Sequence, residues 1–563
     1  MNVKIITRIV LIWAAILVVL AVFRKVHQVL RHVRKLANLS NDSRQRYFSI
    51  PNEKFALIKR RLINSPLVHK RHSREFRLSP ALNMGALPTR LQTQFLVAYT
   101  VLNIVHCTIS IDWHNSETFY EEGRNRCGTL AVLNMVPLFL LVGRSNPLIE
   151  VTGISFDTCN LLHRWLGRIV VCEAVAHGAF FVAGTIAAKG DQGWFIIQMA
   201  IKSSTFILAG VVALCTFVAL LLHSPSVIRH AFYETFLTVH IALAVVATIA
   251  VSVHLKELPH RLFLLCAVLV WVLERASRFV MLVRRNVGPG MTKAEVEALP
   301  GDAVRVTLRI LRPWKFQPGQ HIYLYMPTVG LWTSHPFSLA WSDEQPDFYS
   351  EKALPISRQD IIASKKPEMS LIIRRRTGFT DKIFRKAERS PGGKFTTTAF
   401  VEGPYGEQNF RSYGTVMLFA AGVGITHQVP HVRDLVSAYA AGTCATRQIL
   451  LVWIIQSPEH LEWIRPWMTQ ILGMERRRDV LRIQLFITRP RSTREIHSPS
   501  ASVQMFPGKP DVGALIQKEQ ERQVGAMAVS VCGTGGLADD VRKATLNRCQ
   551  KTAIDFYEEA FSW

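Results

Sequence analysis

Four histidines share one interval. His163 and His177 are 14 residues apart, and so are His240 and His254. On an α-helix, 14 residues advance about 21 Å and return to within about 40° of the starting face. Each segment therefore presents two imidazoles on one side, one near each leaflet of a bilayer. A neutral imidazole is a common ligand of haem iron. One apolar segment separates the two histidine-bearing ones, so these run parallel. His163 then pairs with His240, and His177 with His254. Two bis-histidine haems stacked in this way carry electrons through a membrane. A single intramembrane histidine is as readily a polar group satisfied by a neighbouring helix, but one interval repeated on two parallel segments favours ligation. No Cys-x-x-Cys-His occurs, so the haems are expected to be b-type and non-covalent.

Other ionisable residues at membrane depth lack this regularity. His106 stands alone and is read as packing or hydrogen-bonding. His223 and His230 fall in a loop, and His230 is turned away from the face of His240. Glu173 lies between the first histidine pair. A carboxyl there is a functional candidate, with pairing to Arg168 or to a neighbouring helix as the ordinary reading.

The elements that must position these histidines are apolar runs at 9–23, 91–111, 128–142, 160–186, 199–222, 232–254 and 262–283. Most reach or approach the roughly 20 residues that span a bilayer. The run Ile9–Phe23 continues into Arg24-Lys25 with no small-residue cleavage site, so it is expected to be an uncleaved anchor. The 563 residues include 67 Lys or Arg against 41 Asp or Glu, a net charge of +26, with mean hydropathy +0.17. That combination excludes a disordered chain and a small disulfide scaffold, and a basic nucleic-acid binder should be more hydrophilic. Between Arg24 and Arg90 there are 16 Lys/Arg and 3 Asp/Glu. Cytosolic loops carry such an excess, and attraction to anionic lipid explains it better than nucleic acid does. The 112–127 loop, with Asp112, Glu117, Glu121 and Glu122, should face outward. Six spans from 91 to 283 return the chain to the cytosol at Arg284-Arg285. Nine cysteines without regular spacing indicate neither a zinc site nor a disulfide framework.

After Arg285 the periodicity changes. Ala303–Leu311, His321–Met326, Leu371–Arg375 and Phe395–Glu402 are short β-rich runs between Gly and Pro, as in a small antiparallel barrel. Val416–Ala421, Ile449–Gln456, Leu481–Thr488 and Met527–Cys532 alternate with helix-like segments, as in a doubly wound α/β domain. The first of these strands runs into Gly422-Val423-Gly424-Ile425-Thr426, and the last into Cys532-Gly533-Thr534-Gly535-Gly536. Glycines let a backbone approach a diphosphate, and a helix N-terminus favours the anion. One such loop is an ordinary tight turn; two at neighbouring strand ends indicate a dinucleotide. His335-Pro336-Phe337-Ser338 ends a strand in the barrel half. Arg374-Arg375-Arg376-Thr377-Gly378-Phe379-Thr380 would suit a pyrophosphate, or would be a solvated cationic face.

Taken together, these residues resemble the fungal ferric (metallo-)reductases, in the superfamily that includes NADPH oxidases. The resemblance covers about 91–563. It rests on the two histidine pairs, His335–Ser338, Gly422–Thr426, the Cys532–Gly536 loop followed by Leu537–Arg542, and the ending Glu558–Trp563. It implies a haem-binding transmembrane domain with a six-helix core (91–285), an FAD-binding β-barrel (286–410) and an NADPH-binding α/β domain (411–563); the first apolar run and the basic charge after it set apart a membrane anchor and basic cytosolic segment (1–90). By the same analogy, His335, Pro336, Phe337 and Ser338 contact the flavin, and Arg374, Gly378, Phe379 and Thr380 its pyrophosphate. Gly422, Gly424, Ile425 and Thr426 cradle the NADPH diphosphate, with Cys532, Gly533 and Gly535 in the second loop near the nicotinamide. Thr488 and Arg489 recognise the 2′-phosphate, and Trp563 covers the isoalloxazine. Ser338 stands where Thr is usual, Thr534 where Pro is usual, and the Gly422 and Phe379 motifs each lack a frequent glycine; no ligand or required donor is lost.

The implied activity is electron transfer from cytosolic NADPH through FAD and two haems to Fe(III) chelates, or Cu(II), across an integral membrane, expected to be the plasma membrane, in iron uptake. The competing readings are an NADPH oxidase that makes superoxide and an inactive transport or scaffold protein retaining the fold. The expected partners are lipid, NADPH and metal chelates, without nucleic acid.

Overall fold

The computed structural model describes residues 3–39, 45–68, 72–74, 87–109, 111–330, 333–343, 368–490, 498 and 500–559. The described residues divide into two compact units, one within 3–28 and 87–277, the other within 29–74 and 278–559.

The first unit is helical. Its long helices are Arg90–Thr108, Ser116–Leu141, Phe156–Lys189, Thr205–His223 and Tyr233–His254, flanked by parts of Val3–Asn38 and Arg261–Asn286. Local signals set their starts. Thr89 and Gln92 close a reciprocal capping box, while Asn115, Ser155 and Ser204 accept from backbone N–H groups of the next turn. Among the described residues, four segments are long and apolar enough to cross a membrane: Ile6–Asn38, Phe156–Ser203, Thr205–His223 and Tyr233–His254. The sequence pattern predicts seven. The other three predicted segments are helical too, but they are diluted by polar residues such as Gln92, Gln94 and Asn103, by Arg124 and Arg126, and by Glu274, Arg275 and Arg278.

Two boundaries differ from expectation. The predicted span 199–222 starts at Thr205, because Ser204 caps a new helix and residues 199–203 end a separate one, Gly193–Ser203. The predicted 112–127 loop is helical from Ser116. There Asn115 caps the helix and Glu117 lies in the first turn, where the helix dipole favours a carboxylate.

A buried polar network crosses this unit. Asn134 Nδ2 donates to both Glu173 carboxyl oxygens, at 3.0 and 2.9 Å, and to Asn103 Oδ1 at 2.8 Å. Tyr99 OH donates to Asn134 Oδ1 at 2.6 Å. Glu173 is thus satisfied by a neighbouring helix, while Arg168 stacks on Trp165.

The second unit holds two antiparallel sheets and one parallel sheet. Strands β1 (Lys293–Leu299), β2 (Ala303–Arg309), β5 (Trp341–Ser342), β6 (Met369–Arg374) and β7 (Lys394–Thr398) pair in the order β5-β6-β2-β1-β7. Strands β3 (His321–Tyr325), β4 (Ser334–Ser338) and β8 (Phe400–Tyr405) pair as β4-β3-β8. One core of Val296, Val306, Ile322, Leu324, Leu371 and Val401 joins the two sheets. The run Phe395–Glu402, expected as one strand, is split at buried Ala399 between the two sheets.

The parallel sheet comprises β9 (Thr415–Ala421), β10 (Gln448–Ile455), β11 (Leu481–Ile487), β12 (Val503–Pro507), β13 (Met527–Cys532) and β14 (Ile554–Glu559), in the order β12-β11-β10-β9-β13-β14. Chain direction across the sheet reverses between β9 and β13, which makes this a doubly wound sheet with its switch point there.

Residues 29–74 pack on the parallel-sheet domain. Arg34 lies 4.0 Å over the Tyr413 ring and donates to Ser412 Oγ at 2.9 Å. Lys59 pairs with Asp555, and Gln45 Nε2 donates to Ala445 O at 2.8 Å. The backbone N–H groups of His72, Ser73 and Arg74 donate to the Asp539 carboxylate at 3.1, 2.9 and 3.0 Å. For these side chains the partner of the basic charge is protein, where the sequence suggests lipid.

Near the start of the second unit, Arg278 Nε and Nη2 donate to Glu402 Oε1 and Oε2 at 2.8 and 2.9 Å. Tyr325 OH and Tyr405 OH donate to the same carboxylate at 2.8 and 2.9 Å. Both charged side chains are buried. Removing one member of such a pair costs about 3–5 kcal/mol, whereas replacing both with apolar residues is often neutral. Glu402→Ala should therefore lower the thermal midpoint of the purified protein sharply, and Arg278→Met with Glu402→Leu should recover most of the loss, as read by differential scanning fluorimetry.

Candidate functional site

In the helical unit, helices Phe156–Lys189 and Tyr233–His254 bring the four histidines together in two pairs. The ring centres of His163 and His240 are 6.4 Å apart, and those of His177 and His254 are 6.1 Å apart. Metal–imidazole bonds of about 2.0–2.1 Å on both sides of one ion put the ring centres roughly 6 Å apart. Three of the four rings are oriented through Nδ1. It lies 3.0 Å from Leu138 O in His163, 2.8 Å from Arg124 O in His177, and 2.8 Å from Phe206 O in His254. A carbonyl acceptor fixes the tautomer that protonates Nδ1 and leaves Nε2 for a metal. Among the described residues no group of three or more His, Cys, Asp or Glu could hold a metal ion. Each pair supplies two donors only, as a metal already held by a macrocycle would need. The residues fit haem.

Two glycines make room for the rings. A Cβ on Gly128 would lie 2.6 Å from His177 Nδ1, and one on Gly210 would lie 2.9 Å from His254 Nδ1. Neither glycine stood out in the sequence. A glycine inside an apolar helix, where it lowers stability unless a neighbour needs the space, was the available signal. The remaining histidines do other work: His106 Nδ1 lies 2.6 Å from Leu102 O, and His223 stacks on Phe236 with Nε2 3.2 Å from Phe236 O.

In the second unit the two glycine loops meet at the switch point. Gly422 has φ +53°, and Trp453 Nε1 donates to its carbonyl at 3.0 Å. A Cβ on Gly424 would lie 2.1 Å from Cys532 O, and one on Gly533 would lie 2.7 Å from Ala421 Cβ. The loops after β9 and β13 are therefore in backbone contact, a closeness only glycine permits. Ile425 and Thr426 are buried in the first turn of helix Ile425–Ala440, and Thr426 Oγ1 donates to Val423 O at 2.9 Å. Ligands of doubly wound sheets bind outside such carboxyl ends. Burial pushes the Cys532 thiol up, with Glu559 and Glu558 adding to the effect, so it is no thiolate nucleophile.

Arg374, at the end of β6, reaches this cleft, with Nη1 3.8 Å from the Cβ position of Gly422. Burial lowers its pKa, and the neighbouring Arg376 cation adds to that. Arg375 instead pairs with Asp381 and Asp302. Gly378, with φ +66°, precedes helix Phe379–Arg389. Phe379 stacks on His335 at 4.8 Å and lies 6.5 Å from Phe337, which joins the two barrel-half motifs. Pro336 pairs with Tyr323 in the β3–β4 ladder, Ser338 is buried, and Thr380 Oγ1 accepts from Arg376 N at 2.9 Å. Thr488 Oγ1 donates to Ile455 O at 3.2 Å, and Arg489 beside it is exposed. Gly535 opens helix Gly535–Leu546 against Ser73 O, a neighbour the sequence did not foreshadow. Trp563 lies outside the described residues.

Gly424→Ala is the direct test of the loop contact. The added methyl must separate the β9 and β13 loops, so the KM for NADPH should rise about tenfold or more with flavin content unchanged, a loss of roughly 1.4 kcal/mol in binding. Steady-state kinetics with the flavin absorbance as control measures this.

Three family models match the chain in order. "Ferric reductase like transmembrane component" covers residues 127–251, "FAD-binding domain" covers 289–350, and "Ferric reductase NAD binding domain" covers 413–546. Ferric reductase transmembrane component 3 of Saccharomyces cerevisiae is 26% identical over 92% of this chain and 74% of its own length. Ferric/cupric reductase transmembrane component 2 of the same yeast is 25% identical over 88% of this chain and 70% of its own. Ferric/cupric reductase transmembrane component 1 of Candida albicans is 24% identical over 85% and 63%. With the paired histidines and the double glycine loop on the page, the chain matches the ferric reductase transmembrane and nucleotide-binding models in order along its length and is similar to the fungal ferric reductase transmembrane components.

Proposed function

We propose that this chain is a transmembrane ferric-chelate reductase driven by NADPH, acting on Fe(III) chelates and on Cu(II). The observation that carries the reading is the pair of histidine pairs, 6.4 and 6.1 Å between ring centres, on the same two apolar helices. When bound, FAD takes a hydride from NADPH and the haems relay single electrons toward the metal chelate.

The chain's own residues hold and exclude. His163 with His240, and His177 with His254, would hold two b-type haems, with the rings of His163, His177 and His254 oriented by the carbonyls of Leu138, Arg124 and Phe206. His335, Pro336, Phe337 and Ser338 would seat the flavin. Arg374, Gly378, Phe379 and Thr380 would hold its pyrophosphate. Gly422, Gly424, Ile425 and Thr426 would take the NADPH diphosphate, and Cys532, Gly533 and Gly535 would border the nicotinamide. Thr488 and the exposed Arg489 would select the 2′-phosphate, and Trp563 would cover the isoalloxazine. We place six spans between 91 and 283 after an N-terminal anchor, with the FAD and NADPH domains cytosolic and the plasma membrane as the site. The domain boundaries follow at 90, 285 and 410. No general acid–base machinery is required, since the metal is reduced by electrons alone.

Membranes holding the protein should reduce a Fe(III) chelate on addition of NADPH, with reduced b-haem bands in the optical spectrum. Superoxide production from O2 without metal reduction would overturn the choice of acceptor. Absence of NADPH-reducible haem bands would overturn the electron-transfer reading. His240→Ala should remove one haem per chain and block metal reduction while NADPH still reduces the flavin; retention of both haems would refute the pairing.

A further inference from the structure

Apart from Cys532, the proposed mechanism leaves the cysteines without a role. Among the described residues, Cys107 and Cys127 stand together, with Sγ atoms 3.6 Å apart. Cys107 sits in the last turn of helix Arg90–Thr108, and Cys127 about three turns into helix Ser116–Leu141. Cys127 is buried and Cys107 half-buried. Arg126 braces the same junction, donating to Ile109 O and to Glu122 Oε2. The thiols therefore face each other in a supported contact, and side-chain rotation would close it to an S–S bond of about 2.05 Å.

This contact adjoins a proposed haem ligand. Cys127 lies between Arg124, whose carbonyl is 2.8 Å from His177 Nδ1, and Gly128, whose absent side chain leaves room for the same ring. A cross-link here would pin the turn against which His177 rests.

We propose that Cys107 and Cys127 form a disulfide on the side of the membrane opposite the FAD and NADPH domains, and that it fixes the Arg124–Gly128 turn. The inference rests on the orientation proposed above, which faces the 112–127 segment with Cys127, and the adjoining outer end of the 91–111 span with Cys107, toward a compartment where disulfides persist. A low-molecular-weight disulfide is the oxidant. One cysteine thiolate attacks it, breaking its S–S bond and releasing one small thiolate, and the second attacks the resulting mixed disulfide at the protein sulfur and displaces the other small thiolate. Two protein thiols become one S–S bond, and the oxidant leaves as two small thiols carrying the two protons and the two electrons.

The test uses the full-length protein in intact cells. Free thiols are blocked with a membrane-permeant maleimide, the protein is denatured and reduced, and newly freed thiols take a maleimide of different mass before peptide mapping. Cys107 and Cys127 should carry the second label only, and a cross-linked peptide pair should appear without reduction. Both cysteines carrying the first label would overturn the disulfide. A membrane-impermeant maleimide on the Cys127→Ser variant separates that failure from one of topology: Cys107 labelled from outside upholds the orientation, and labelling only after permeabilisation refutes it. Reduction should lower the thermal midpoint of the unaltered protein but not that of the Cys107→Ser/Cys127→Ser protein; equal responses would overturn the pinning role.

Discussion

The helical unit depends on one constraint: the imidazoles of two helices face each other with their ring centres at a separation that would admit one metal ion between them. Rings at 6.4 and 6.1 Å meet it twice. The constraint propagates outward. The carbonyls of Leu138 and Arg124, both on helix Ser116–Leu141, orient the histidines of helix Phe156–Lys189. Those two helices must pack closely, which calls for glycine at 123 and 128 against Phe180 and His177. Asn134 and Glu173 join the same helices by hydrogen bonds that the apolar surroundings make costly to break.

The nucleotide half obeys an analogous rule of approach. The parallel sheet reverses its winding between β9 and β13, and the loops after these strands touch through glycine. A side chain at Gly424 or Gly533 would collide with the facing loop, at Cys532 or at Ala421, and push the two loops apart. Arg374 is carried to the same point by an antiparallel strand, so a barrel motif and a sheet motif far apart in sequence meet at Gly422.

The basic segment acquires a second meaning. Part of its charge is spent on Tyr413, Ser412, Asp555 and Asp540, all in the parallel-sheet domain. Three successive backbone N–H groups at 72–74 converge on the Asp539 carboxylate. A stretch whose composition suggests orientation alone is also a brace for the nucleotide domain, because a cation near the surface satisfies either a phosphate headgroup or a protein carboxylate.

The histidine interval, the glycine loops and the strand–helix alternation were legible in the sequence because each is a local periodicity, set by helix pitch, backbone freedom or pleat. So was the pairing of the four histidines, since equal spacing on parallel helices leaves one consistent match. The edge strands β12 and β14, the split at Ala399 and the helical start at Ser116 were not, because edge strands have weak patterns and caps move boundaries by a few residues. The carbonyls that orient the imidazoles, the Arg278–Glu402 pair and the Cys107–Cys127 contact were decided only by tertiary structure. They join residues 20 to 124 positions apart, a distance over which no local propensity acts and only packing brings the groups together.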